Sequence, residues 1–346
     1  MQINRTTIHS FFDTVLSILG IIACSLVIYL SLTNYKNKAL KVYSIMLVTN
    51  ATVDLLYAIN TLCTFCTAAF GYKAVFMLID NPYWPKTVWW TYAGLCTNLF
   101  LMFLSVGMLP LQFIYRYGVM RTKPFTKKQM FVFFCVSLSF ATMHGFVSPW
   151  TFKPPSAEWE PRIREALSLD DDAELPGYVV GDVRTFGVMA LHFIDIFVIM
   201  FFSYAVIVVM VFLSKRTLTM EEVTSASPLT KAVQRQVTRI IYVQAIYPLF
   251  VVCAPCFIFP ILAVKGAEVK FFGEWAMLSM HTPPLVNSLS VILCVPSYRG
   301  VVAHPFTAEK VRSLNKKFLR YYHGTKMTFT QLQPTITAPI SSNYIT

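Results

Sequence analysis

Long runs of apolar residues, separated by shorter polar segments, dominate the pattern along the chain. A helix rises ~1.5 Å per residue, so a run of about 20 apolar residues crosses the ~30 Å hydrocarbon core of a bilayer. The runs do not alternate between apolar and polar positions, as the strands of a membrane barrel would. The pattern therefore predicts an all-α membrane protein, a seven-transmembrane helix bundle, with spans at approximately 11–32, 42–70, 88–115, 130–150, 185–213, 237–264 and 274–296.

Two of these spans contain residues that interrupt a helix. The seventh holds His281, Pro283, Pro284 and Asn287, and the sixth holds Pro248, Pro255 and Pro260. Such interruptions are tolerated inside a bundle because neighbouring side chains and waters satisfy the carbonyl groups that proline leaves free. We expect the prolines to weaken the sixth helix at the place where a moving bundle would bend.

Composition agrees with a membrane protein. The 346 residues are 55% hydrophobic and only 13% charged, whereas soluble domains are roughly 25% charged. No internal repeat or separate soluble domain is visible, so we predict one bundle at 11–296 after a short extracellular N-terminus at 1–10. A juxtamembrane segment at 297–324 is expected to form a short amphipathic helix on the inner leaflet, and 325–346 to form a disordered cytoplasmic tail.

Basic residues occur in alternate loops, and this predicts the orientation of the bundle. The first loop holds Lys36, Lys38 and Lys41 without any acid, and the segments after the third, fifth and seventh spans are also basic. The long segment 151–184 is the opposite, with four basic and eight acidic residues. The N-terminus is therefore predicted outside and the C-terminus in the cytoplasm. The net charge of +12 then needs no nucleic-acid partner to explain it.

Other motifs add little chemistry. Asn4-Arg5-Thr6 is a glycosylation sequon on the predicted outer side, so Asn4 is a candidate glycosylation site. The eight cysteines all fall within predicted spans, where we interpret them as small apolar residues rather than as disulfides or metal ligands. We expect no metal and no cofactor.

Acidic and polar residues at membrane depth are the first candidates for function, because burying them there is costly. Asp54 lies near mid-membrane on the second span, and Asp195 lies on the fifth with His192 one turn away on the same face. The alternative is that each hydrogen-bonds across the bundle and serves packing. We favour function for these three residues. Four further polar residues lie at similar depth, and packing is the expected role of all but the last: Asn98, His144, Gln244 and His281.

No enzyme signature is present, neither a His-Glu-x-x-His pair, a nucleophile elbow nor a Walker loop, so the chain is not predicted to be an enzyme. An odd number of spans without a repeat argues against the commonest transporters. A seven-span ligand-gated channel or a transporter stays open as an alternative. The favoured interpretation is a receptor, in which a ligand from outside shifts a bistable bundle.

Motifs at the inner ends of the spans resemble those of a known superfamily. Tyr115-Arg116-Tyr117 closes the third span, Pro296-Ser297-Tyr298-Arg299 follows the seventh, and Asn50–Leu55 surrounds the aspartate of the second. The stretch Ser225–Pro260 resembles the sixth-helix signature of the same superfamily. In this order the motifs resemble nematode serpentine chemoreceptors of the Str superfamily, with the Srd and Str families closest.

The resemblance implies a G-protein-coupled chemosensory receptor in the plasma membrane, in sensory neuron cilia, whose partners are a small odorant or pheromone and a heterotrimeric G protein. It assigns coupling or switching to Asp54, Arg116, Tyr117, Pro248, Tyr298 and Arg299. The chain departs from the rhodopsin pattern because Tyr115, not an acid, precedes Arg116. The resting partner of this arginine is then expected elsewhere, at Glu221 or Glu222.

The ligand is expected in the outer half of the bundle, between the third, fifth, sixth and seventh spans. The candidate residues by depth are Trp90, Tyr92, Asn98, His192, Asp195 and His281. Tryptophans also collect at the edges of membranes as an interfacial belt, and this remains the alternative for Trp90 and its neighbour Trp89.

Overall fold

The structure of the protein, a computed structural model, describes residues 5–33, 41–120, 125–170, 172–184, 187–223, 245–269 and 271–294, together with 298 and 302. The chain divides into two units, 1–291 and 292–346. The first unit contains the bundle and the second begins within the last described helix.

Long helices form most of the first unit. The helices are α1 (Arg5–Thr33), α2 (Lys41–Thr64), α3 (Val88–Met120), α4 (Lys127–Thr151), α5 (Glu160–Leu167), α6 (Gly187–Val223), α7 (Ala254–Lys265), α8 (Phe272–Met280) and α9 (Pro283–Cys294). Within the described ranges, six spans are long and apolar enough to cross a membrane: Ile8–Thr33, Ser44–Thr64, Val88–Tyr115, Lys127–Thr151, Gly187–Thr217 and Ala245–Lys265.

The seventh span consists of α8 and α9, which are separated by His281 and Thr282. Pro283 and Pro284 begin α9, where a proline costs little because the first amide groups of a helix have no partner within the helix. With this broken span, the predicted all-α, seven-helix membrane bundle is confirmed.

Local signals explain several helix ends. Thr126 and Gln129 form a capping box at the start of α4, each side chain bonding the other's backbone amide. Gly266, with a φ of 64°, ends α7 in the left-handed conformation that glycine adopts without strain. Ser168 ends the short outer helix α5 in the same conformation.

The predicted end of the second span was wrong. Helix α2 ends at Thr64 rather than near Phe70, and Cys66–Gly71 forms strand β1. The apolar run continues through this strand because every residue in it is buried, and a short buried run does not distinguish a strand from a helix. The helix α5 and the strand in the segment 151–184 were likewise not predicted.

Strand β1 belongs to an antiparallel sheet with β2 (Ala74–Ile79) and β3 (Gly177–Asp182), in the order β1-β2-β3. Tyr72 and Lys73, both with positive φ, form the two-residue turn between β1 and β2. One face of the sheet packs on α5 and Trp159, and the other contributes Phe70, Met77 and Val179 to the core of the bundle.

The sheet lies against the ends of the helices that are predicted to face outside, called the outer end below. A Cβ atom added to Gly273 in α8 would lie 2.0 Å from the carbonyl oxygen of Ala68 in β1, so the two backbones are in direct contact. The sheet therefore covers this end of the bundle, and its core continues into the core between the helices.

Several predictions fall outside the described residues and stay predictions. These concern Asn4, Gln244, Arg299, the amphipathic helix and the C-terminal tail. The backbone of Arg116 is part of α3, but its side chain is outside the described structure, as are those of Glu221 and Glu222 in α6. Tyr298 is helical and buried and belongs to the second unit.

Candidate functional site

A buried group of ionisable side chains, called the imidazole cluster, joins α4 to α6. It consists of His144, His192 and Asp195. His144 Nδ1 lies 2.7 Å from Asp195 Oδ2, and the two imidazole rings are 4.8 Å apart at an angle of 32°. Thr151 Oγ1 lies 3.4 Å from His192 Nδ1. The cluster thus ties two helices together through side chains that are expensive to bury in an apolar medium.

Aromatic side chains form the walls of the imidazole cluster. The ring of Phe103 in α3 lies 4.2 Å from that of His144, and the ring of Phe152 lies 5.2 Å from that of His192. Tyr92 is close by, since its hydroxyl donates a 2.6 Å hydrogen bond to the carbonyl oxygen of Phe152. This arrangement provides a polar centre with apolar surroundings, which is the usual composition of a small-molecule site.

Two side chains of the imidazole cluster, His144 and Asp195, can form further hydrogen bonds. His144 is fully buried, yet its Nε2 has no hydrogen-bond partner among the described residues. The Asp195 side chain is 21% exposed. His144 lies seven residues before the outer end of α4 at Thr151, hence about 10 Å along the helix. A polar ligand group at this depth would find the partly exposed carboxylate, whereas the imidazole nitrogen is enclosed.

The pairing within the cluster differs from the interpretation of the sequence. His192 and Asp195 are close on α6, but Asp195 bonds His144, and His192 packs against the ring of His144 instead. His144 was assigned to packing, and its bond across two helices does serve packing. It is also the partner of the carboxylate, which sequence reasoning missed because pairing depends on how neighbouring helices are rotated.

A second buried group, the Asp13 cluster, joins α1 to the break in the seventh span. It consists of His9, Asp13 and His281. His281 Nδ1 lies 2.9 Å from Asp13 Oδ1, and His9 Nδ1 lies 3.5 Å from Asp13 Oδ2. All three side chains are buried, and the ring of Tyr57 packs edge-on against that of His281. His9 and Asp13 were not predicted, although their i, i+4 spacing places them on one face of α1.

A third group surrounds Asp54 at mid-membrane. Ser105 Oγ donates a 2.6 Å hydrogen bond to Asp54 Oδ1, and Asn287 Nδ2 donates a 3.2 Å bond to Oδ2. These bonds connect α2, α3 and α9 and form the junction of the three helices, called the Asp54 junction. Hydrogen bonding of this acid to Ser or Asn was the packing alternative considered for it, so its role in switching stays a prediction.

A small cavity adjoins the Asp54 junction. The centre of a water molecule can occupy about 10 Å³ of this cavity, which is close to the smallest volume that holds one water. It is lined by Tyr57, Met102, Ser105, Val106, Leu109, Pro248, Val252, Pro283 and Asn287. The cavity therefore lies between Pro248 and the two residues that bond Asp54, Ser105 and Asn287.

The sixth span is irregular beside this cavity. After Pro248 the turn Leu249–Cys253 is π-helical. Ser279 Oγ in α8 donates a 3.0 Å hydrogen bond to the carbonyl oxygen of Val251, and the Tyr247 hydroxyl donates a 2.5 Å bond to Thr282 Oγ1. Irregular turns inside helices often mark functional positions. Side chains of the broken seventh span thus hold the weakened part of the sixth.

The structure separates the six predicted ligand residues. Tyr92, His192 and Asp195 come together near the imidazole cluster, whereas His281 belongs to the Asp13 cluster. Asn98 is fully buried, and neither polar atom of its side chain has a hydrogen-bond partner within the described ranges. Trp90 is 52% exposed and contacts Trp84 at 5.9 Å, as the interfacial alternative suggested.

Opposite charges hold together the outer layer above these clusters. Asp182 in β3 accepts hydrogen bonds from Lys153 and Arg184, and Arg184 also bonds Glu158. Burial alone would raise the pKa of Asp182, but the hydrogen bonds from Arg184 and Lys153 outweigh it and hold this pKa well below its usual value. The hydrogen bond from Arg184 also lowers the pKa of Glu158. The guanidinium of Arg184 lies 4.2 Å above the ring of Trp159.

Comparisons with known proteins agree with this geometry. The crystal structure of squid rhodopsin superimposes with a TM-score of 0.59 at 15% identity, covering 86% of this chain and 84% of that one. At this identity the likeness shows the fold alone. No curated protein matches the chain.

The family comparison is more specific. Residues 9–304, which include all seven predicted spans, match a family described as serpentine type 7TM GPCR chemoreceptor Srd. The resemblance to the Srd family is thereby confirmed, while the wider Str superfamily and a nematode source stay predictions. The match covers far more than half of the chain. This multi-pass membrane protein therefore belongs to the Srd family of serpentine 7TM GPCR chemoreceptors, which are receptors rather than enzymes.

Proposed function

We propose that the protein is a chemosensory receptor in the plasma membrane of sensory neuron cilia. It binds a small environmental molecule, an odorant or pheromone, in the outer half of the bundle and activates a heterotrimeric G protein at its basic inner face. The observation that carries this proposal is the Asp54 junction, where a buried carboxylate connects three helices next to a cavity and an irregular turn.

The Asp54 junction has the properties of a two-state element. Its carboxylate accepts bonds from Ser105 and Asn287 in an apolar interior, where losing either bond is costly. The helices that supply these groups therefore shift together between discrete arrangements rather than by small continuous steps. The cavity lined by Pro248 gives side chains room to rearrange, and the π-helical turn gives the sixth span a place to bend.

The imidazole cluster is our proposed centre of the ligand site. It lies in the outer half of the bundle, it has aromatic walls, and it offers a partly exposed carboxylate. Helix α3 connects the two sites, because Phe103 contacts His144 and Ser105, two residues further on, bonds Asp54. A ligand that moves α3 at Phe103 would thus disturb the Asp54 junction.

The inner face supplies the proposed contact with the G protein. Arg116 and Tyr117 lie in the last turns of α3, and the basic loops place positive charge on the same side. Tyr298 and Arg299 are proposed to start the juxtamembrane segment. Asn4, on the opposite side, is proposed as a glycosylation site. This orientation rests on the distribution of Lys and Arg among the loops.

The proposal can be tested by expressing the protein in heterologous cells and applying a panel of small volatile and soluble molecules. G-protein activation and membrane current are recorded in the same cells. We expect at least one molecule to activate the G protein, and Asp54→Asn to reduce that response. A current that persists when G proteins are blocked would instead indicate a channel, and accumulation of labelled ligand in vesicles would indicate a transporter.

A further inference from the structure

We propose that the ligand reaches the imidazole cluster sideways from the bilayer, between α4 and α6. Its chemical class is then a lipophilic molecule with one hydrogen-bond donor, such as an amine or a hydroxyl group. This inference rests on the proposed function, since it specifies which ligand that site takes and by which route.

At the outer end of the bundle, strand β3 lies directly against the helices. A Cβ added to Gly177 would lie 2.6 Å from Thr91 Oγ1, and one added to Gly181 would lie 2.9 Å from Met189 Cε. Both glycines are in β3, whose six residues are all buried. A molecule approaching along the bundle axis would therefore have to displace strands that contact the helices directly.

Ion pairs hold this outer layer in place. Lys153 immediately follows Phe152 at the end of α4 and bonds Asp182 in β3 at 2.8 Å. Arg184 binds the same carboxylate and also Glu158, which precedes α5. The layer is thus tied to the chain segments on both sides of the imidazole cluster. Opening it would break several of these ion pairs at once.

The exposed part of Asp195 lies on the side of the bundle. Residues seven positions apart share one stripe of a helix, and the residues at these positions on α6 are Val188, 51% exposed, and Phe202, 58% exposed. The stripe therefore faces outward, at a depth where the surroundings are lipid. On α4, Phe140 lies one turn before His144 on the same side of the helix and is 43% exposed.

The surface between α4 and α6 combines one acidic group with apolar side chains. A partly exposed carboxylate facing hydrocarbon is unfavourable, and intramembrane acids usually face the bundle interior. Here its inner oxygen bonds His144, and the fully buried Nε2 of that histidine is without a partner among the described residues. A ligand that donates one hydrogen bond to Asp195 gives the exposed carboxylate a partner. Its apolar part then lies along the exposed apolar stripe of α6. Strongly polar solutes are excluded because they do not partition into the bilayer.

The experiment uses photolabelling of the purified full-length protein in phosphatidylcholine vesicles, so that no G protein is involved. The probes are a long-chain alcohol carrying a diazirine and a short water-soluble diol carrying the same group. We expect the alcohol to label the outer halves of α4 and α6 and the diol to leave them unlabelled. Asp195→Leu should reduce this labelling about tenfold, the loss expected from one charge-assisted hydrogen bond.

Two further variants keep the test interpretable if Asp195→Leu folds poorly. Leu191→Trp narrows the exposed stripe without touching the polar pair, and it should slow labelling several-fold. Ser139→Ala removes an exposed hydroxyl from α4 that only bonds its own helix at Cys135, and it should label like the wild type. If Asp195→Leu and Leu191→Trp were both labelled as strongly as the wild type, the proposal would be overturned, as it would be by labelling of this region with the diol.

The lipid itself could supply the same chemistry, and the vesicle composition distinguishes this case. Phosphatidylcholine has no donor in its headgroup, whereas phosphatidylethanolamine has an ammonium group. If phosphatidylethanolamine abolishes the labelling, the cluster binds a lipid headgroup and the proposed class of ligand is wrong. If the labelling is as expected but no molecule activates a G protein in the cell assay, the proposed function is refuted and this inference is not. A water-soluble agonist whose action Leu191→Trp leaves unchanged would refute this inference alone.

Discussion

His144 and Asp195 form the polar contact between α4 and α6, with 2.7 Å between Nδ1 and Oδ2. The histidine is fully buried, and the carboxylate lies at the border between the bundle and the lipid. A group that looked like an isolated acid on the fifth span therefore has a partner on the fourth. The pair provides both a structural tie and the polar centre of the proposed ligand site.

The energetic contribution of this pair can be measured with a double-mutant cycle. Hydrogen bonds between membrane helices contribute about 0.6 kcal/mol on average and up to about 1.7 kcal/mol. We expect a coupling energy near the upper value for His144→Leu and Asp195→Leu, because the contact is short and His144 is fully buried. The measurement is the free energy of unfolding in mixed micelles for both single variants and the double variant. A coupling energy near zero would show that the contact is incidental.

Asp54→Asn is expected to separate ligand binding from signalling. Asn keeps the size of the side chain, but it has one acceptor oxygen and no charge, so it cannot accept the bonds from Ser105 and Asn287 together as the Asp54 carboxylate does. We expect ligand binding to be retained and G-protein activation to fall about tenfold, as for the loss of one buried hydrogen bond to a charged group. Binding and activation are measured on the same membranes.

Asn50→Ala is the matched control for that change. Asn50 lies one turn before Asp54 on α2 and is similarly buried, but neither polar atom of its side chain has a hydrogen-bond partner in the described part of the chain. It should leave activation close to the wild-type value. If both variants reduce activation equally, the effect comes from general loss of packing in α2 and not from the Asp54 junction.

The helices were predictable from the sequence because the length of an apolar run is a local property. The sheet was not, since strands buried on both faces read as a continuation of the apolar run, as Cys66–Gly71 shows. Even the broken seventh span was visible, because His281 and the following prolines interrupt its pattern. What failed was the distinction between a helix and a strand in a short buried segment.

The candidate site was only partly predictable, for a different reason. Depth along a helix follows from counting residues, and this identified Asp54, His192 and Asp195. Partners across the bundle depend on helix rotation and on tertiary packing, which a single sequence does not contain. The contacts of Asp195 with His144 and of Asp13 with His281 were therefore missed. Trp90 had the right depth but lies on an exposed surface.

The outer layer is expected to be stable at neutral pH and to loosen only in strong acid. The pKa values of Asp182 and Glu158 are lowered in the folded protein, so their ion pairs stabilise it fully above the ordinary carboxyl values of about 4. That stabilisation is lost as the pH falls through the lowered values. The protection factors for hydrogen exchange in residues 151–184, which are corrected for the intrinsic effect of pH on exchange, should be equal at pH 7 and pH 5 and smaller below about pH 4.

Substitutions in this network should raise the pH at which the layer loosens. Arg184→Gln removes one of the basic partners that lower each pKa, while Lys153 stays beside Asp182 and Arg162 beside Glu158, so protection from exchange should be lost at a higher pH than in the wild type. Glu174→Gln is the control, because Glu174 is highly exposed and its ion pair with Lys86 is of the kind that contributes little to stability. An unchanged exchange profile in Arg184→Gln would show that the network does not fasten the layer.

Gly273→Ala tests the direct contact between α8 and the sheet. The added Cβ would lie 2.0 Å from the carbonyl oxygen of Ala68, so either the helix or the strand must move. Overpacking of this kind costs about 1–3 kcal/mol, and backbone atoms cannot rotate away as a flexible side chain would. We expect a lower melting temperature and faster hydrogen exchange in β1. Gly187→Ala has no atom within 4 Å of the new Cβ and should not lower the melting temperature. If both variants melt like the wild type, α8 does not pack against the sheet as closely as described.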